Sequence, residues 1–215
     1  MASQSIDLAN KHILDVGCGV GMYTAAFLRK TPHVFGTEIE YERATEARER
    51  TLGVIQSPAE HLPFADNTFD LVFSHEVLEH VQDDAVSLAE MTRVTRSGGH
   101  LVIFVPNRLY PFETHGVYWR GTYRFGNIPL VNWFPTPIRD RLAPHVRAYT
   151  SRQLGRLITG LPVEILTHSC VFAGYDNIVA RHPTLGRVLR RVTYSLERSP
   201  LRAFALSHFL VLRKI

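Results

Sequence analysis

Short apolar runs alternate with amphipathic stretches through the first half of the chain. Five runs rich in branched and aromatic residues predict β-strands at residues 12–16 (HILDV), 33–39 (HVFGTEI), 53–57 (GVIQS), 69–75 (FDLVFSH) and 98–106 (GGHLVIFVP). Three stretches between them predict helices, at residues 22–30, 40–50 and 83–95. Strands and helices that alternate at these intervals indicate βαβ units and a parallel sheet.

The pattern is lost between residues 107 and 149, where Pro, Gly, Arg and aromatic residues dominate without a sustained period. A long irregular segment in a compact domain is often a lid or a binding loop. Beyond it, the pattern predicts a helix at 151–161 with Ser151 as N-cap, a strand at 163–172, a helix at 184–198 and a strand at 208–215. Because the sequence shows neither a repeat nor an interdomain linker, we expect one domain, 1–215, with 107–149 as an inserted segment.

The composition is that of a globular protein, since 45% of the 215 residues are hydrophobic and 20% are charged. No apolar run approaches the roughly 18–20 residues that a membrane-spanning helix needs. The N-terminal segment MASQSIDLANKH lacks the apolar stretch of a signal peptide. Cys18 and Cys170 have neither the number nor the spacing of a disulfide framework or a metal site. We therefore expect a cytoplasmic protein.

Charge is distributed unevenly along the chain. Residues 1–100 carry 8 Lys and Arg against 15 Asp and Glu, whereas residues 101–215 carry 16 against 5, and 15 of those 16 are Arg. Arginine favours planar, bidentate contacts with carboxylate or phosphate groups. The second half therefore forms either a solvated basic surface or one that meets an anionic partner.

The turn after the first predicted strand, DVGCGVGM, carries the most specific chemistry. Gly17, Gly19 and Gly21 let a ligand approach the backbone closely. Their spacing departs from the G-x-G-x-x-G of dinucleotide sites, and no Lys follows them as in a phosphate-binding loop. Asp15 at the strand end would repel a pyrophosphate and would favour an ammonium group. The turn therefore predicts a cationic ligand without phosphate.

Four blocks in order resemble the class I S-adenosylmethionine-dependent methyltransferases, and most closely their type 11 small-molecule branch, which includes ubiquinone- and menaquinone-pathway enzymes. The blocks are ILDVGCGVG, VFGTEIE, AEHLPFADNTFDLVFSHEVLEHV and MTRVTRSGGHLVIFVPN. The resemblance implies a Rossmann-like α/β fold whose seven-stranded, mostly parallel sheet has the order 3-2-1-4-5-7-6, with the last strand antiparallel and helices on both faces. It also implies S-adenosyl-L-methionine as cofactor and methyl transfer to a small organic acceptor, with aromatic and lipid-like molecules as candidates.

The resemblance also implies roles for individual residues around the methionine part of the cofactor. Asp15 and the backbone of Gly17, Cys18 and Gly19 are expected to face it. His75, just after the fourth strand, is expected to lie beneath the cofactor near the methyl group.

For the nucleoside part, the resemblance implies that Glu38 accepts hydrogen bonds from the two ribose hydroxyls, with Glu40 as the second candidate. Family members often carry an Asp before the AE-LPF block, where this chain has a proline. We therefore expect adenine recognition to depend on the backbone of Ala59 and on walls formed by Glu60 and Leu62.

The sequence SHEVLEHV also invites comparison with the zinc motif H-E-x-x-H. His80 follows His75 by five residues rather than four, which rotates the two rings about 140° apart on a helix. We therefore expect no metal.

If the acceptor is a hydroxyl, a base helps to remove its proton. His75 and His115 are the catalytic candidates, whereas His80 is more typical of an ordinary hydrogen-bonded histidine. Aromatic residues of the inserted segment form either the wall of an acceptor pocket or a small satellite core: Tyr110, Phe112, Tyr118, Trp119, Tyr123, Phe125, Trp133 and Phe134. Nearby arginines could bind an acidic group of the substrate: Arg108, Arg120 and Arg124.

Two other functions stay open. One is a non-catalytic S-adenosylmethionine-binding module, and the other is a nucleic-acid methyltransferase, which the basic second half encourages. The chain reads FSHEVLEH where enzymes that methylate base amino groups carry [DNS]-P-P-[FYW], and neither cysteine follows a proline, as cytosine-carbon enzymes require. We therefore expect no nucleic-acid partner. The basic amphipathic helix at 184–198 could contact an anionic membrane, and the sequence leaves the oligomeric state unknown.

Overall fold

The computed structural model describes residues 7–51 and 53–215, apart from the side chain of Asn177. Residues 1–6, which begin the segment expected not to be a signal peptide, and Leu52 lie outside the described residues. The strands are β1 Ile13–Val16, β2 Val34–Glu38, β3 Val54–Gln56, β4 Phe69–His75, β5 Thr95–Pro106, β6 Phe112–Glu113, β7 Val117–Trp119, β8 Thr122–Arg124, β9 Ile128–Pro129, β10 Val163–Val171 and β11 Ser207–Lys214. The α-helices are α1 Met22–Leu28, α2 Tyr41–Arg50, α3 Asp84–Val94, α4 Thr136–Leu142, α5 Ser151–Ile158, α6 Asp176–Arg181 and α7 Pro183–Leu196. Short 3-10 helices span Val131–Trp133 and Pro200–Phe204.

Seven of these strands form one mixed sheet in the order β10-β11-β5-β4-β1-β2-β3. When only the strands of this sheet are counted, the order is 3-2-1-4-5-7-6 from the other edge. The predicted order and the Rossmann-like fold class are confirmed. The order reverses direction around β1, which is where ligands bind in sheets of this kind.

The register of the central strands brings three chain segments to one edge of the sheet. β1 pairs in parallel with β2 and with β4, so that Val16 lies opposite both Thr37 and Ser74. Gly17, Glu38 and His75 each follow these positions by one residue, and the chain therefore leaves the sheet at the same edge in all three places. All four residues of β1 are buried, which explains why this central strand reads as a continuous apolar run around Asp15.

The chain forms two compact units. The first comprises the described residues of 1–103, 157–166 and 210–215, and the second comprises 104–156 and 167–209. In the first unit, Ile13, Val34 and Leu71 form one buried cluster. The expectation of a single domain over 1–215 stays a prediction.

Small buried side chains hold helix α2 of the first unit in place, and an N-cap residue begins helix α3. α2 buries Ala44 and Ala47 against Cys18 and Val54, and these small side chains let the helix lie close to the glycine turn. The side chain of Asp83 caps α3, since its Oδ1 accepts hydrogen bonds of 3.0 Å from the backbone N–H groups of Ala85 and Val86.

The segment 107–149, expected to be irregular, contains regular structure in the second unit. β6 pairs with β9 and β7 pairs with β8, both antiparallel, and α4 follows. Strands of two or three residues are too short to display an alternating pattern, which is why no strand was predicted there.

The expected cap of the helix that begins at Ser151 is also corrected. Thr150 Oγ1 accepts a hydrogen bond from the backbone N–H of Gln153 over 3.3 Å, and Gln153 Oε1 accepts one from the backbone N–H of Thr150 over 2.8 Å. This reciprocal pair is a capping box, and Thr150 rather than Ser151 is the N-cap.

Within the described part of the chain, no helix combines the length and the apolar composition needed to cross a membrane.

Candidate cofactor and active site

The glycine turn between β1 and α1 has a left-handed backbone conformation at its glycines. Gly17 and Gly19 have φ values of 67° and 54°, in the left-handed region that favours glycine. A Cβ at Gly17 would overlap the side chain of Val77, whereas a Cβ at Gly19 would meet no atom within 4 Å. The backbone at Gly17 is therefore packed from one side, and the space beside Gly19 is open to a ligand.

Glu38 at the end of β2 is a buried carboxylate tied to this turn. Its Oε2 accepts a hydrogen bond of 2.8 Å from the backbone N–H of Gly19, and its Oε1 accepts one of 3.0 Å from the backbone N–H of Glu40. Each carboxylate oxygen can accept more than one hydrogen bond, so that both keep capacity for hydroxyl donors. The side chain of Glu40 instead pairs with Arg43 over 3.0 Å at the surface. The geometry favours Glu38 over Glu40 as the ligand-facing carboxylate.

Asp15 lies under the same turn and is almost completely buried. Thr24 Oγ1, on α1, donates a hydrogen bond of 2.6 Å to Asp15 Oδ2. Burial raises the pKa of Asp15 to about 6, which the hydrogen bonds from Thr24 only partly offset. Sequence reasoning missed Thr24, because nothing in the spacing of a strand residue and a helix residue signals such a contact.

The backbone of Cys18 is hydrogen-bonded, and its thiol is buried and protonated. Its N–H donates to the carbonyl of Thr37 over 2.8 Å, which joins the turn to β2. Burial and the nearby carboxylates of Asp15 and Glu38 raise the pKa of the Cys18 thiol to about 12. A thiol that stays protonated is a poor nucleophile, so the expectation that Cys18 contributes through its backbone is consistent with its surroundings.

The residues expected around the adenine differ in whether they already have hydrogen-bond partners within the protein. Ala59 is buried. Glu60 Oε1 accepts hydrogen bonds from the backbone N–H groups of Gln82 over 2.8 Å and Asp83 over 3.3 Å, at the start of α3. Glu60 therefore stabilises the entry to this helix, and any contact with a ring would use the remainder of its side chain. Leu62 is buried and its N–H donates to Glu90 over 3.0 Å.

His75 at the end of β4 lies in an aromatic setting within the first unit. Its ring centroid is 5.0 Å from that of Tyr23 and 6.2 Å from that of Phe73. Burial lowers the pKa of His75 below its usual range, although the charge of Glu76 opposes this shift. The imidazole is therefore neutral at pH 7 and can accept a proton.

Two large apolar side chains that are close in sequence to the glycine turn and to Glu38 are exposed. Ile39, which directly follows Glu38, is 60% exposed, and Met22 at the start of α1 is 67% exposed. Sequence reasoning did not single out either residue. An exposed aliphatic side chain next to a fixed carboxylate suits a ligand that has a flat ring and hydroxyl groups.

His115 belongs to the second unit, where a buried carboxylate holds it. Its Nδ1 lies 3.2 Å from Glu113 Oε1, and its backbone N–H donates to the same oxygen over 3.0 Å. Glu113 Oε2 accepts a hydrogen bond of 2.8 Å from the Arg139 guanidinium, which is also buried. Although burial alone would raise the pKa of Glu113, hydrogen bonds from His115 and the charge of Arg139 lower it. Glu113 is therefore an ionised carboxylate that orients the His115 ring.

A ring of aromatic side chains surrounds the same loop of the second unit. Tyr123 Oη donates a hydrogen bond of 2.6 Å to the carbonyl of His115, and His145 Nε2 lies 3.1 Å from that oxygen. The rings of Tyr118, Tyr123 and His145 have centroid separations of 5.3 to 5.6 Å. His145 was missed by sequence reasoning, because a lone histidine outside a motif carries no signal.

The remaining aromatic residues expected to form a pocket wall or a satellite core are largely at the surface. Phe125 is 80% exposed, and Trp133 donates its Nε1–H to the carbonyl of Leu109 over 2.9 Å while its ring packs edge-on against Phe204. Their exposure does not fit a closed satellite core. Of the candidate substrate-binding arginines, Arg108 donates to the carbonyl of Phe134 over 2.7 Å.

Comparison with known proteins connects this geometry to a family. Residues 14–103 match a family described as a methyltransferase domain (type 11). An uncharacterized methyltransferase of Schizosaccharomyces pombe is 42% identical over 108 residues, which cover 41% of this chain and 37% of that protein. A demethylmenaquinone methyltransferase of Thermobifida fusca is 37% identical over 98 residues, which cover 42% of each protein. The chain thus spans about two fifths of the length of these curated relatives.

Solved structures extend the likeness in fold to nearly the whole chain. The crystal structure of an S-adenosylmethionine-dependent methyltransferase from Mesorhizobium loti has a TM-score of 0.66 and 17% sequence identity, and the match covers 97% of this chain and 93% of that one. At this identity, the comparison shows the fold alone.

The family and the fold imply S-adenosyl-L-methionine as cofactor. The residues present fit it, since the turn leaves open space beside Gly19 and Glu38 is a fixed acceptor with spare lone pairs. The resemblance that the sequence motifs predicted is confirmed, since residues 14–103 match the type 11 methyltransferase domain.

Proposed function

We propose that this protein is a methyltransferase that uses S-adenosyl-L-methionine to methylate a small organic acceptor. The observation that carries the proposal is the contact between Glu38 and the backbone N–H of Gly19. It ties the acidic end of β2 to the glycine turn after β1, at the edge of the sheet where Rossmann-like folds bind nucleosides. The match of residues 14–103 to a methyltransferase domain supports the same conclusion.

Each part of the cofactor has a candidate partner in the first unit. Glu38 accepts hydrogen bonds from the ribose hydroxyls, and the backbone from Gly17 to Gly19 lies along the methionine part. Asp15 provides negative charge for the ammonium group when it is ionised, and Ile39 and Ala59 provide apolar contacts for the adenine. When bound, the cofactor supplies a methyl group on a positively charged sulfur, already activated for transfer.

His115 is the first candidate for a general base if the acceptor is a hydroxyl. A carboxylate beside Nδ1 favours the tautomer that carries its proton on Nδ1, which leaves Nε2 as the basic nitrogen of the ring. Glu113 provides that carboxylate at 3.2 Å, and Arg139 keeps Glu113 ionised. His75, whose lowered pKa keeps it neutral, is the second candidate.

The first test measures cofactor binding by titration calorimetry with S-adenosylmethionine and its demethylated product. We expect Glu38→Gln to weaken binding by about tenfold or more, because hydrogen bonds to a charged acceptor contribute about 1.5–3 kcal/mol. Glu40→Gln is the matched control, since it removes a neighbouring carboxylate that pairs with Arg43 at the surface. Equal losses in both variants, or no binding by the folded wild type, would contradict the proposal.

The second test follows transfer of a labelled methyl group to three pools: small molecules of a cell extract, RNA and DNA. Label in the small-molecule pool alone supports the proposed acceptor class. Label in nucleic acid would favour a nucleic-acid methyltransferase instead. Tight cofactor binding without transfer to any pool would favour a non-catalytic binding module.

A further inference from the structure

Helix α7 of the second unit has an apolar stripe on its outer face. Leu185, Val188 and Val192 are 60%, 56% and 51% exposed. Their spacing of three, then four residues places them in one row along the helix. The opposite face is turned inward, since Gly186 and Thr193 are buried and a Cβ at Gly186 would lie 2.6 Å from the Cα of Val179. The aliphatic row therefore faces away from the unit's own packing.

Arginines form a second row beside the first. Arg187 and Arg191, one helical turn apart, are exposed on the neighbouring side of α7. Residues 173–206 contain six arginines and only two carboxylates, Asp176 and Glu197. Exposed aliphatic and cationic rows thus run side by side along the same helix.

Both carboxylates near α7 have partners within the unit. Asp176 accepts a hydrogen bond of 2.8 Å from Arg190, on the inward side of the helix. Glu197 accepts one of 3.0 Å from the backbone N–H of Phe172. Because both carboxylates have these other partners, the outer face of α7 carries a net positive charge.

Large apolar side chains are also exposed on the short 3-10 helix that follows α7. Leu201 and Phe204 are 52% and 44% exposed, and Arg202 lies between them in the sequence. The same combination of large apolar side chains and arginine therefore extends beyond the end of the longer helix.

We propose that this face of α7 is a docking surface for an anionic membrane. Helices that lie in the membrane interface present an apolar row to the acyl boundary and cationic residues to the headgroups. A duplex nucleic acid would use the arginines but would leave the central aliphatic row exposed to water, since phosphates offer it nothing. A second copy of the chain would bring two arginine-rich faces together, which repel each other. The anionic bilayer is the partner that uses both rows.

The test is co-sedimentation of the full chain with vesicles of phosphatidylcholine alone or with 30% phosphatidylserine, at low and high salt. We expect binding only to the anionic vesicles, and weaker binding at high salt. Arg187→Gln with Arg191→Gln should weaken binding by about 30-fold, since each arginine near an anionic surface contributes about fivefold. Leu185→Ser with Val188→Ser and Val192→Ser should also reduce binding strongly.

The matched control is Arg152→Gln with Arg156→Gln. These two arginines are exposed on α5 with the same spacing of four residues, so that the pair changes the net charge equally. The control should bind as the wild type does, and circular dichroism should show that all variants are folded.

Three results would overturn the proposal. One is the absence of sedimentation with anionic vesicles at low salt. Another is an equal loss of binding in the α5 control, which would indicate overall charge rather than this face. The third is a serine variant that keeps full vesicle binding, or that turns a dimeric wild type into a monomer, since the row would then serve another partner.

Discussion

Thr24 Oγ1 lies 2.6 Å from Asp15 Oδ2, and both side chains are buried beneath the glycine turn. This contact joins the first turn of α1 to the end of β1, across the glycine turn of the proposed cofactor site. It also adjusts the charge of the site, because a hydrogen bond to the ionised form opposes the effect of burial on the pKa of Asp15.

The pKa of Asp15 gives a prediction for cofactor binding. Since burial raises this pKa to about 6, the carboxyl group is neutral below pH 6 and negative above it. If the carboxylate binds the ammonium group of the cofactor, affinity should fall by up to about tenfold per pH unit below pH 6. Titration calorimetry from pH 5 to pH 8 measures this. Asp15→Asn should have a flatter profile, and Thr24→Val should move the fall to higher pH. Parallel profiles for wild type and Asp15→Asn would count against the role of Asp15.

Because the space beside Gly19 is open, a substitution there can test cofactor binding separately from the stability of the fold. Gly19→Ala should cost about 1–2 kcal/mol in the free energy of unfolding, because a side chain is disfavoured at positive φ, and it should also weaken cofactor binding by placing a methyl group in the ligand's space. Gly98→Ala is the control, since Gly98 has a φ of 76° and likewise has no atom within 4 Å of a built Cβ. Urea unfolding and calorimetry should show similar losses of stability but a loss of affinity only at Gly19. Unchanged affinity in Gly19→Ala would place the ligand elsewhere.

The sequence was sufficient for the centre of the sheet because β1, β2 and β4 are buried along almost their whole length. Runs such as FDLVFSH and HLVIFV are short and rich in branched and aromatic residues, which favours strands over helices, and the four motif blocks indicate their order. Asp15 and Glu38 could be located for the same reason, since they are the last but one residue of β1 and the last residue of β2.

Contacts between distant side chains could not be predicted in this way. Nothing local distinguishes Thr24 from other threonines, and the pairing of Glu113 with Arg139 joins residues 26 positions apart. The short strands of the segment 107–149 are equally invisible, because two or three residues do not establish a period. The sequence analysis named only Ser151 as the cap of α5. Serine and threonine are both good caps, and the reciprocal hydrogen bonds between Thr150 and Gln153 identify Thr150 as the cap.

The buried pair in the second unit predicts a strong asymmetry between single and double variants. Arg139→Met should cost about 3–5 kcal/mol in the free energy of unfolding, because it leaves the Glu113 carboxylate buried without its cation. Adding Glu113→Gln should restore part of this loss. Arg141→Met, on the exposed side of the same helix, should change stability by no more than about 0.5 kcal/mol. Urea denaturation provides all three values, and additive losses in the double variant would mean that the two side chains are not coupled.

His208 predicts how the stability of the protein responds to acid. Its Nε2 lies 2.9 Å from the carbonyl of Tyr149, and His168 and Cys170 lie 3.2 and 3.3 Å from its Nδ1. Burial lowers the pKa of His208 to about 4 from an ordinary value of 6.5, and the nearby His168 adds to this effect. The unfolded chain therefore takes up a proton at higher pH than the folded chain does. The stability contributed by the neutral ring is present above pH 6.5 and is lost as the pH falls to about 4.

We expect this loss to be on the order of 3 kcal/mol between pH 7 and pH 4, since one pKa unit corresponds to about 1.4 kcal/mol. His208→Gln keeps a donor for the carbonyl of Tyr149 but does not titrate, so that its stability should fall less steeply over the same range.

Asp15 acts in the opposite direction, because a raised pKa stabilises the folded chain below about pH 4 and ceases to do so as the pH rises through 6. Asp15→Asn should therefore steepen the acid-induced loss that His208→Gln reduces. Urea unfolding of the two variants and the wild type at intervals from pH 4 to pH 7 separates the two titrations, and slopes that change in the same direction would show that one of these groups is not buried as described.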